Sequence, residues 1–213
     1  MLKTEHISFQ HQEQLILKDI TTSFEKGSHT TITGPSGSGK STLLKILASL
    51  LTPTKGKISF NDQDIETLTP ENYRMQVSYC FQQPSLFGET VRDNFMFPYE
   101  VRKKEFQESH VLNLLKEVKL PESYLDKKIT ELSGGEKQRV ALIRNVIFLP
   151  EVLLLDEVTA GLDEESKAIV NNWLLQLNQK KNITLIRVTH DPEEIAQATI
   201  VKKIVAGRLE ETE

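Results

Sequence analysis

The sequence predicts an α/β fold: a mainly parallel sheet covered by helices, an N-terminal antiparallel β part, and an inserted α-helical subdomain. Three observations carry this. A glycine-rich loop, Gly34 to Thr42, lies between a β-branched run and a helical apolar pattern. A later apolar run, Val152 to Leu155, is short and unbroken, as a strand of a buried parallel sheet is, and a further strand is expected over Ile183 to Val188. Between about 85 and 148 the strand signals fade and helical ones replace them.

In chain order, residues 2–25 read as strands: Ile7 and Phe9 alternate, Leu15 to Phe24 is rich in apolar and β-branched residues, and Glu25 to Gly27 turns. His29 to Thr33 is a strand. After the loop, Leu43, Leu44, Ile46, Leu47, Leu50 and Leu51 recur at helical spacing, and Pro53 and Gly56 are expected to close that helix. Lys57 to Phe60 and Val77 to Phe81 are further strands, the first followed by the turn Asn61-Asp62, the second ending at Gln82, Gln83 and Pro84. Leu112, Leu115 and Val118 fall on one helical face with Leu114 beside them, and a second helix is expected over Glu136 to Phe148. Another helix, near 164–179, separates the two buried strands. A strand over Thr199 to Ala206, a turn at Gly207 and a polar end complete the chain. The expected organisation is one domain over 1–213, with 1–84 and 149–213 forming the core and 85–148 the helical subdomain.

Composition removes several classes. The 213 residues are 38% hydrophobic and 26% charged, as in ordinary globular proteins. A net charge of −4 gives no electrostatic case for nucleic acid as the main partner. No apolar run approaches the roughly 18 residues of a membrane span. The start, Met1 to His6, lacks the apolar core of a signal peptide. The single cysteine, Cys80, excludes an intrachain disulfide and fits a reducing cytoplasm. Service to a membrane would come from outside the lipid, through a partner.

Gly34, Pro35, Ser36, Gly37, Ser38, Gly39, Lys40, Ser41 and Thr42 fit G-x-x-x-x-G-K-[S/T], the phosphate-binding loop of nucleoside-triphosphate hydrolases. Glycines let successive backbone N–H groups turn toward one anion. Lys40 brings a mobile cation to the β- and γ-phosphates, the Ser41 hydroxyl can bind Mg²⁺, and the following helix aims its positive end at the phosphates. Asp156 and Glu157 end an apolar strand, where α/β sheets place ligand chemistry. Asp156 is positioned to hold Mg²⁺ and Glu157 to orient or deprotonate a water. Leu132, Ser133, Gly134, Gly135 and Glu136 open a helix with exposed amides, and Ser133 with Glu136 three residues later also reads as a capping box. Two anion-binding helix starts suggest a nucleotide held from two sides.

These features together resemble the ATP-binding subunit of an ABC transporter, over essentially the whole chain. The resemblance implies a P-loop NTPase (RecA-like) core, ATP and Mg²⁺ as cofactors, a homodimer of cassettes in the ATP-bound state, and a separate multi-span membrane permease. It implies peripheral attachment at the cytoplasmic face of a bacterial plasma membrane. Position by position, Gly34 to Thr42 is similar to the Walker A loop, Asp156 to the Walker B aspartate and Glu157 to the catalytic base. Gln82 resembles the glutamine that senses Mg²⁺ and the attacking water and touches the membrane subunit. Leu132 to Glu136, with Ser133, Gly134 and Gly135 between them, resembles the signature that covers ATP on the opposite subunit. Asp163 lies in a loop similar to the one that crosses the dimer interface, and His190 resembles the switch histidine at the γ-phosphate. The family's adenine-stacking aromatic falls where this chain has His11. Glu136 stands for a more frequent glutamine and Val158 for a frequent proline.

Several stretches, among them Leu47 to Leu51, Val77 to Cys80, Pro84 to Gly88 and Glu136 to Arg139, resemble the small bacterial cassettes of the YbbL/Fet type. That resemblance implies iron export. Transporters of other substrates such as phosphate or amino acids, a soluble ATPase acting on ribosomes or DNA, and a P-loop kinase remain the competing classes. The Leu132 to Glu136 segment argues against the kinase. Leu86, Phe87, Phe95, Phe97 and Tyr99 read either as a docking surface for a membrane subunit or as the subdomain's own core.

Overall fold

The computed structural model describes residues 1–210. The polar end expected after Gly207 lies partly outside them. The strands are β1 Leu2–His11, β2 Gln14–Phe24, β3 His29–Thr33, β4 Lys55–Phe60, β5 Gln63–Asp64, β6 Val77–Cys80, β7 Val152–Asp156, β8 Thr184–Val188, β9 Ile200–Val205 and β10 Arg208–Glu210. The helices are α1 Lys40–Leu47, α2 Pro70–Arg74, α3 Val91–Val101, α4 Glu108–Glu117, α5 Gly134–Val146, α6 Glu164–Lys181 and α7 Pro192–Ala196. The chain divides into two compact units: Met1–Tyr79 with Pro150–Glu157 and the chain from Asn178 onward, and Cys80–Leu149 with Val158–Leu177.

The first unit holds two sheets. One is antiparallel, in the order β2-β1-β4-β5; the other has six strands in the order β10-β9-β3-β8-β7-β6. Within the second sheet β3 pairs in parallel with β8 and β9, β7 pairs in parallel with β8, and β10 turns back antiparallel on β9. Every residue of β7 and of β8 is buried; β7 accordingly reads as an unbroken apolar run up to Asp156, while β8 buries Thr184 and Arg187 among its apolar residues. The core joins Leu2, Ile7 and Leu17 of the antiparallel sheet to Ile32, Leu43, Leu47, Leu154 and Ile186. Each such side chain contributes roughly 1.5–3 kcal/mol by leaving water.

Helix α1 is shorter than its apolar spacing predicts. It stops at Leu47, and Ser49 takes a left-handed φ of 55°. The Leu50 amide then donates to Lys45 O at 2.8 Å and the Ser49 amide to Ile46 O at 3.0 Å, the double bond of a Schellman ending. The Tyr73 hydroxyl donates to Leu47 O at 2.6 Å, satisfying another terminal carbonyl. Gly56 therefore does not close the helix. It belongs to β4, with φ 91°, where a side chain would run into the backbone of Glu5 and His6.

In the second unit the buried face of α4 is Val111, Leu114 and Leu115, continued by Val118. Leu112 is half-buried, so the face is one position out of phase with the expected Leu112–Leu115–Val118 line. Helix α5 starts two residues before the expected Glu136 and ends two before Phe148. Fully buried Asn94 on α3 organises the preceding loop: its Oδ1 accepts from the Phe87 amide (3.2 Å) and Arg144 Nη1 (2.9 Å), and its Nδ2 donates to Phe87 O (2.8 Å) and Thr90 O (3.1 Å).

Candidate functional site

In the first unit the loop from Gly34 to Gly39 joins the end of β3 to the start of α1. Gly34 has φ 137° and Gly39 φ 103°, values that disfavour any side chain. Space forbids one as well: a Cβ on Gly34 would collide with the Ile204 carbonyl, and one on Gly39 would lie 2.6 Å from Leu17 Cδ2. Gly39 is the N-cap of α1 and contributes no side-chain cap, so the first amides of the helix remain available to a ligand. Ser38 Oγ is buried with no hydrogen-bond partner among the described residues. Pro35, Ser36 and Gly37 are exposed, while Ser41 and Thr42 are half-buried.

Lys40 is buried, and its Nζ donates to the carbonyls of Gly34 and Pro35, both at 2.9 Å. Burial lowers its pKa; the negative charges of Glu157 and Asp156 oppose that shift. The ammonium therefore sits inside the loop it would serve, within the field of both strand-end carboxylates.

Asp156 closes β7 and is buried. Its Oδ1 accepts from Ser41 Oγ at 2.8 Å, which joins the loop to the strand end. Its Oδ2 accepts from the Tyr79 hydroxyl at 2.6 Å. Tyr79 is a site residue that sequence reasoning missed. Its position on β6 was predicted, but its reach toward β7 depends on those strands being neighbours. Glu157 follows with a left-handed φ of 48°, uncommon for a non-glycine residue. Its amide still donates to Val188 O at 3.1 Å, and its Oε1 lies 3.3 Å from His190 Nε2. His190 is exposed just beyond β8, before Asp191 caps α7 through the amides of Glu193 and Glu194. His11 is exposed at the end of β1, opposite Gln14.

The second unit gathers a different group. Ser133 caps α5: its Oγ accepts from the Glu136 amide at 3.2 Å, and the Ser133 amide donates to Glu136 Oε2 at 2.7 Å. The capping-box reading is correct. Glu136 also accepts from the Tyr124 hydroxyl at 2.7 Å and lies 3.6 Å from Lys127 Nζ. Burial raises its pKa, but the Ser133 amide, Tyr124 and Lys127 outweigh this and hold it below the usual glutamate value. A Cβ on Gly134 would meet open space. One on Gly135 would lie 2.5 Å from Ser166 Oγ. Asp163 is exposed and caps α6 through the Ser166 amide at 2.8 Å, an interaction that leads the lowering of its pKa. Arg139 Nη1 donates to Ser166 Oγ at 3.0 Å, so Gly135, Arg139, Asp163 and Ser166 meet at one place. Gln82 is exposed two residues beyond the end of β6.

The aromatic stretch after Gln82 divides. Phe95 and Tyr99 are core. Phe87 and Phe97 are exposed and pack edge to face, 5.1 Å between centroids, with Arg144 over the Phe87 ring at 5.1 Å.

Comparison with known proteins agrees with this geometry. The family described as ABC transporter matches residues 17–160. The probable iron export ATP-binding protein FetA of Escherichia coli (strain K12) is 47% identical over 213 residues, covering 99% of this chain and 95% of FetA. The energy-coupling factor transporter ATP-binding protein EcfA2 of Ligilactobacillus salivarius is 40% identical over 193 residues, 87% of this chain and 67% of its own length. A dimeric post-hydrolysis state of the ATP-binding cassette MJ0796 bound to ADP and Pi matches with a TM-score of 0.89 at 28% identity, covering 100% of this chain and 98% of that one. With a P-loop NTPase fold, a Walker-type loop bonded to a strand-end aspartate, and relatives of this similarity along its whole length, the chain belongs to the ABC transporter family, as an ATP-binding and ATP-hydrolysing subunit.

Proposed function

We propose that two copies of this chain close over two ATP molecules and that hydrolysis releases the closure, driving a separate multi-span membrane permease. The observation that carries the proposal is the Ser41–Asp156 bond, which joins the phosphate loop to the strand end carrying Glu157. The loop suits a triphosphate: α1 offers uncapped amides, and Ser38 keeps a buried hydroxyl without a partner among the described residues. Lys40 exchanges the carbonyls of Gly34 and Pro35 for the β- and γ-phosphates. Gly34 to Thr42 wrap the phosphates, and His11 stacks on the adenine.

The donor set suits Mg²⁺. Ser41 and Asp156 offer hard oxygen ligands at one point, and this ion is usually held by one or two carboxylates together with phosphate oxygens and water. No cluster of three or more His, Cys, Asp or Glu that could hold a metal occurs among the described residues, and an ion carried in by ATP needs none. Ser41, Asp156 and Gln82 would hold it, and its charge would help neutralise the phosphates. Glu157 accepts a proton from the attacking water, and His190, 3.3 Å away, fixes the orientation of that carboxylate and meets the γ-phosphate.

In the closed dimer, Ser133, Gly134, Gly135 and Glu136 cover the ATP held by the other copy, and Asp163 crosses the interface. Because the Glu136 carboxylate is engaged by Ser133, Tyr124 and Lys127, the ligand contacts fall to the Ser133 hydroxyl and the α5 amides. The cargo is iron and the direction export, on the strength of the FetA relative. No helix among the described residues is long and apolar enough to cross a membrane. Through the permease, the work is done peripherally, at the cytoplasmic face of the bacterial plasma membrane. Glu157→Gln tests the mechanism. Loss of a general base is expected to cut turnover by about 10²–10⁴-fold and to leave an ATP-bound dimer on size-exclusion chromatography. Turnover near wild type would remove Glu157 from the role of base. Co-purification with the multi-span protein encoded beside this gene, with ATPase activity rising in its presence, tests the partner.

A further inference from the structure

Asp156 is gripped from two directions. Ser41 reaches Oδ1 from the start of α1, and Tyr79 reaches Oδ2 from the neighbouring strand β6. The two donors are not equivalent. The Ser41 hydroxyl is itself a candidate cation ligand, and a lone pair turned to a cation reorients its O–H. The Tyr79 phenol is buried on the sheet, away from the loop sequence, and its 2.6 Å bond has the length of a charge-assisted O–H···O⁻ contact. The terminal torsion of an aspartate is broad and two-fold, so a carboxylate held at one oxygen is free to rock about that bond. A second donor on the other oxygen fixes its plane. Each oxygen retains a further lone pair for a cation or a cation-bound water.

We propose that Tyr79 is a positioning residue for cation binding: its hydroxyl holds the Asp156 carboxylate plane independently of Ser41, so that the aspartate stays aimed when Ser41 turns to the ion. This rests on the reading of Asp156 as the residue that receives Mg²⁺. The same arrangement accounts for an otherwise costly choice at this place, a phenol hydroxyl buried inside a sheet, where phenylalanine would pack as well with no polar atom to satisfy. Partners that orient a metal-ligating carboxylate typically change metal affinity or activity by about 10–100-fold when removed.

The test uses the full chain with Mn²⁺ as the probe. Mn²⁺ affinity in the presence of ADP is read by electron paramagnetic resonance, and ADP affinity in EDTA is measured separately. Tyr79→Phe keeps the ring and removes the hydroxyl. It is expected to weaken Mn²⁺ binding about tenfold or more while ADP affinity in EDTA stays within about twofold. A purely structural role would lower both affinities together. 3,5-Difluorotyrosine at position 79 keeps the donor and is expected to restore Mn²⁺ affinity; failure to restore it counts against the hydroxyl. Asp156→Asn separates the two readings. If it abolishes Mn²⁺ binding while Tyr79→Phe changes nothing, the positioning role is wrong and the Asp156 reading stands. If Asp156→Asn leaves Mn²⁺ affinity at the wild-type value, the Asp156 reading itself is wrong and the inference falls with it.

Discussion

Two adjacent glycines open α5, and the structure assigns them opposite responses to the same substitution. At Gly134 an added methyl meets nothing within 4 Å, and Gly134 is not among the residues with positive φ. Gly134→Ala should therefore gain the helix propensity of alanine, up to about 1 kcal/mol. At Gly135 the same methyl would lie 2.5 Å from Ser166 Oγ and 3.0 Å from Ser166 Cβ. Ordinary contact begins near 3.4 Å, so both atoms must yield. Cβ belongs to α6 and moves only with its backbone. Oγ is held by Arg139 Nη1 at 3.0 Å, and swinging it away gives up that bond. Overpacking of this kind costs about 1–3 kcal/mol, and a lost buried hydrogen bond adds about 1 kcal/mol. Set against the propensity gain, Gly135→Ala should destabilise by about 2 kcal/mol. Urea denaturation of the two variants beside wild type measures the contrast, and Gly135→Ala combined with Ser166→Gly should recover part of the loss through a coupling term. Equal midpoints for Gly134→Ala and Gly135→Ala would refute the steric argument.

Two further perturbations follow from the same geometry. Asn94→Ala strips four hydrogen bonds from a fully buried site and leaves the polar groups of Phe87, Thr90 and Arg144 without their partner there; a loss of about 2–4 kcal/mol in chemical denaturation is expected, with a change under 1 kcal/mol refuting the role of Asn94 as organiser of the loop. His29 is buried, and burial followed by the charge of Arg187 lowers its pKa from 6.5 to about 4. The unfolded chain takes up the proton near pH 6.5 while the folded chain resists it until about pH 4, so this stabilisation is complete above pH 6.5 and falls as pH drops through that window. Between pH 7.5 and 4.5 wild type should lose more stability than His29→Gln, by an amount on the order of 2 kcal/mol, measured by urea midpoints, and parallel pH profiles would contradict it.

What the sequence revealed and what it hid separate along a physical line. The phosphate loop was legible because its constraints are local: Gly34 and Gly39 need φ values that few residues tolerate, and their order along the chain is the order in space. The strand β7 was legible because burial on both faces leaves an unbroken apolar run. Tyr79 gave no such signal, since its bond to Asp156 depends on β6 lying beside β7, a non-local fact that no spacing encodes. Gly135 was read as a source of amides, yet its lack of a side chain is demanded by Ser166 on another helix. The end of α1 was misplaced because its apolar pattern continues past the turn: Ser49 enters the left-handed region with no glycine to announce it, and Leu50 is left exposed.

The pairing of Asp156 with Glu157 shows how one bend gives adjacent acids different surroundings. In a continuing strand, successive side chains face opposite sides of the sheet. Asp156 obeys this: it pairs with Val188 in register and is buried between Ser41 and Tyr79. The Glu157 amide still bonds to Val188 O, so the chain leaves the strand geometry only after that amide, at a φ of 48°. A left-handed residue with a side chain costs about 1–2 kcal/mol relative to the right-handed basin. The strain has an identifiable product, since Glu157 arrives 3.3 Å from His190, which emerges from the end of the neighbouring strand β8. Asp156 is thereby held at both carboxylate oxygens, while Glu157 stays only part-buried beside an exposed imidazole. Two strands ending side by side, one of them kinked at its first residue beyond the sheet, are enough to separate the carboxylate held at both oxygens from the one that meets His190.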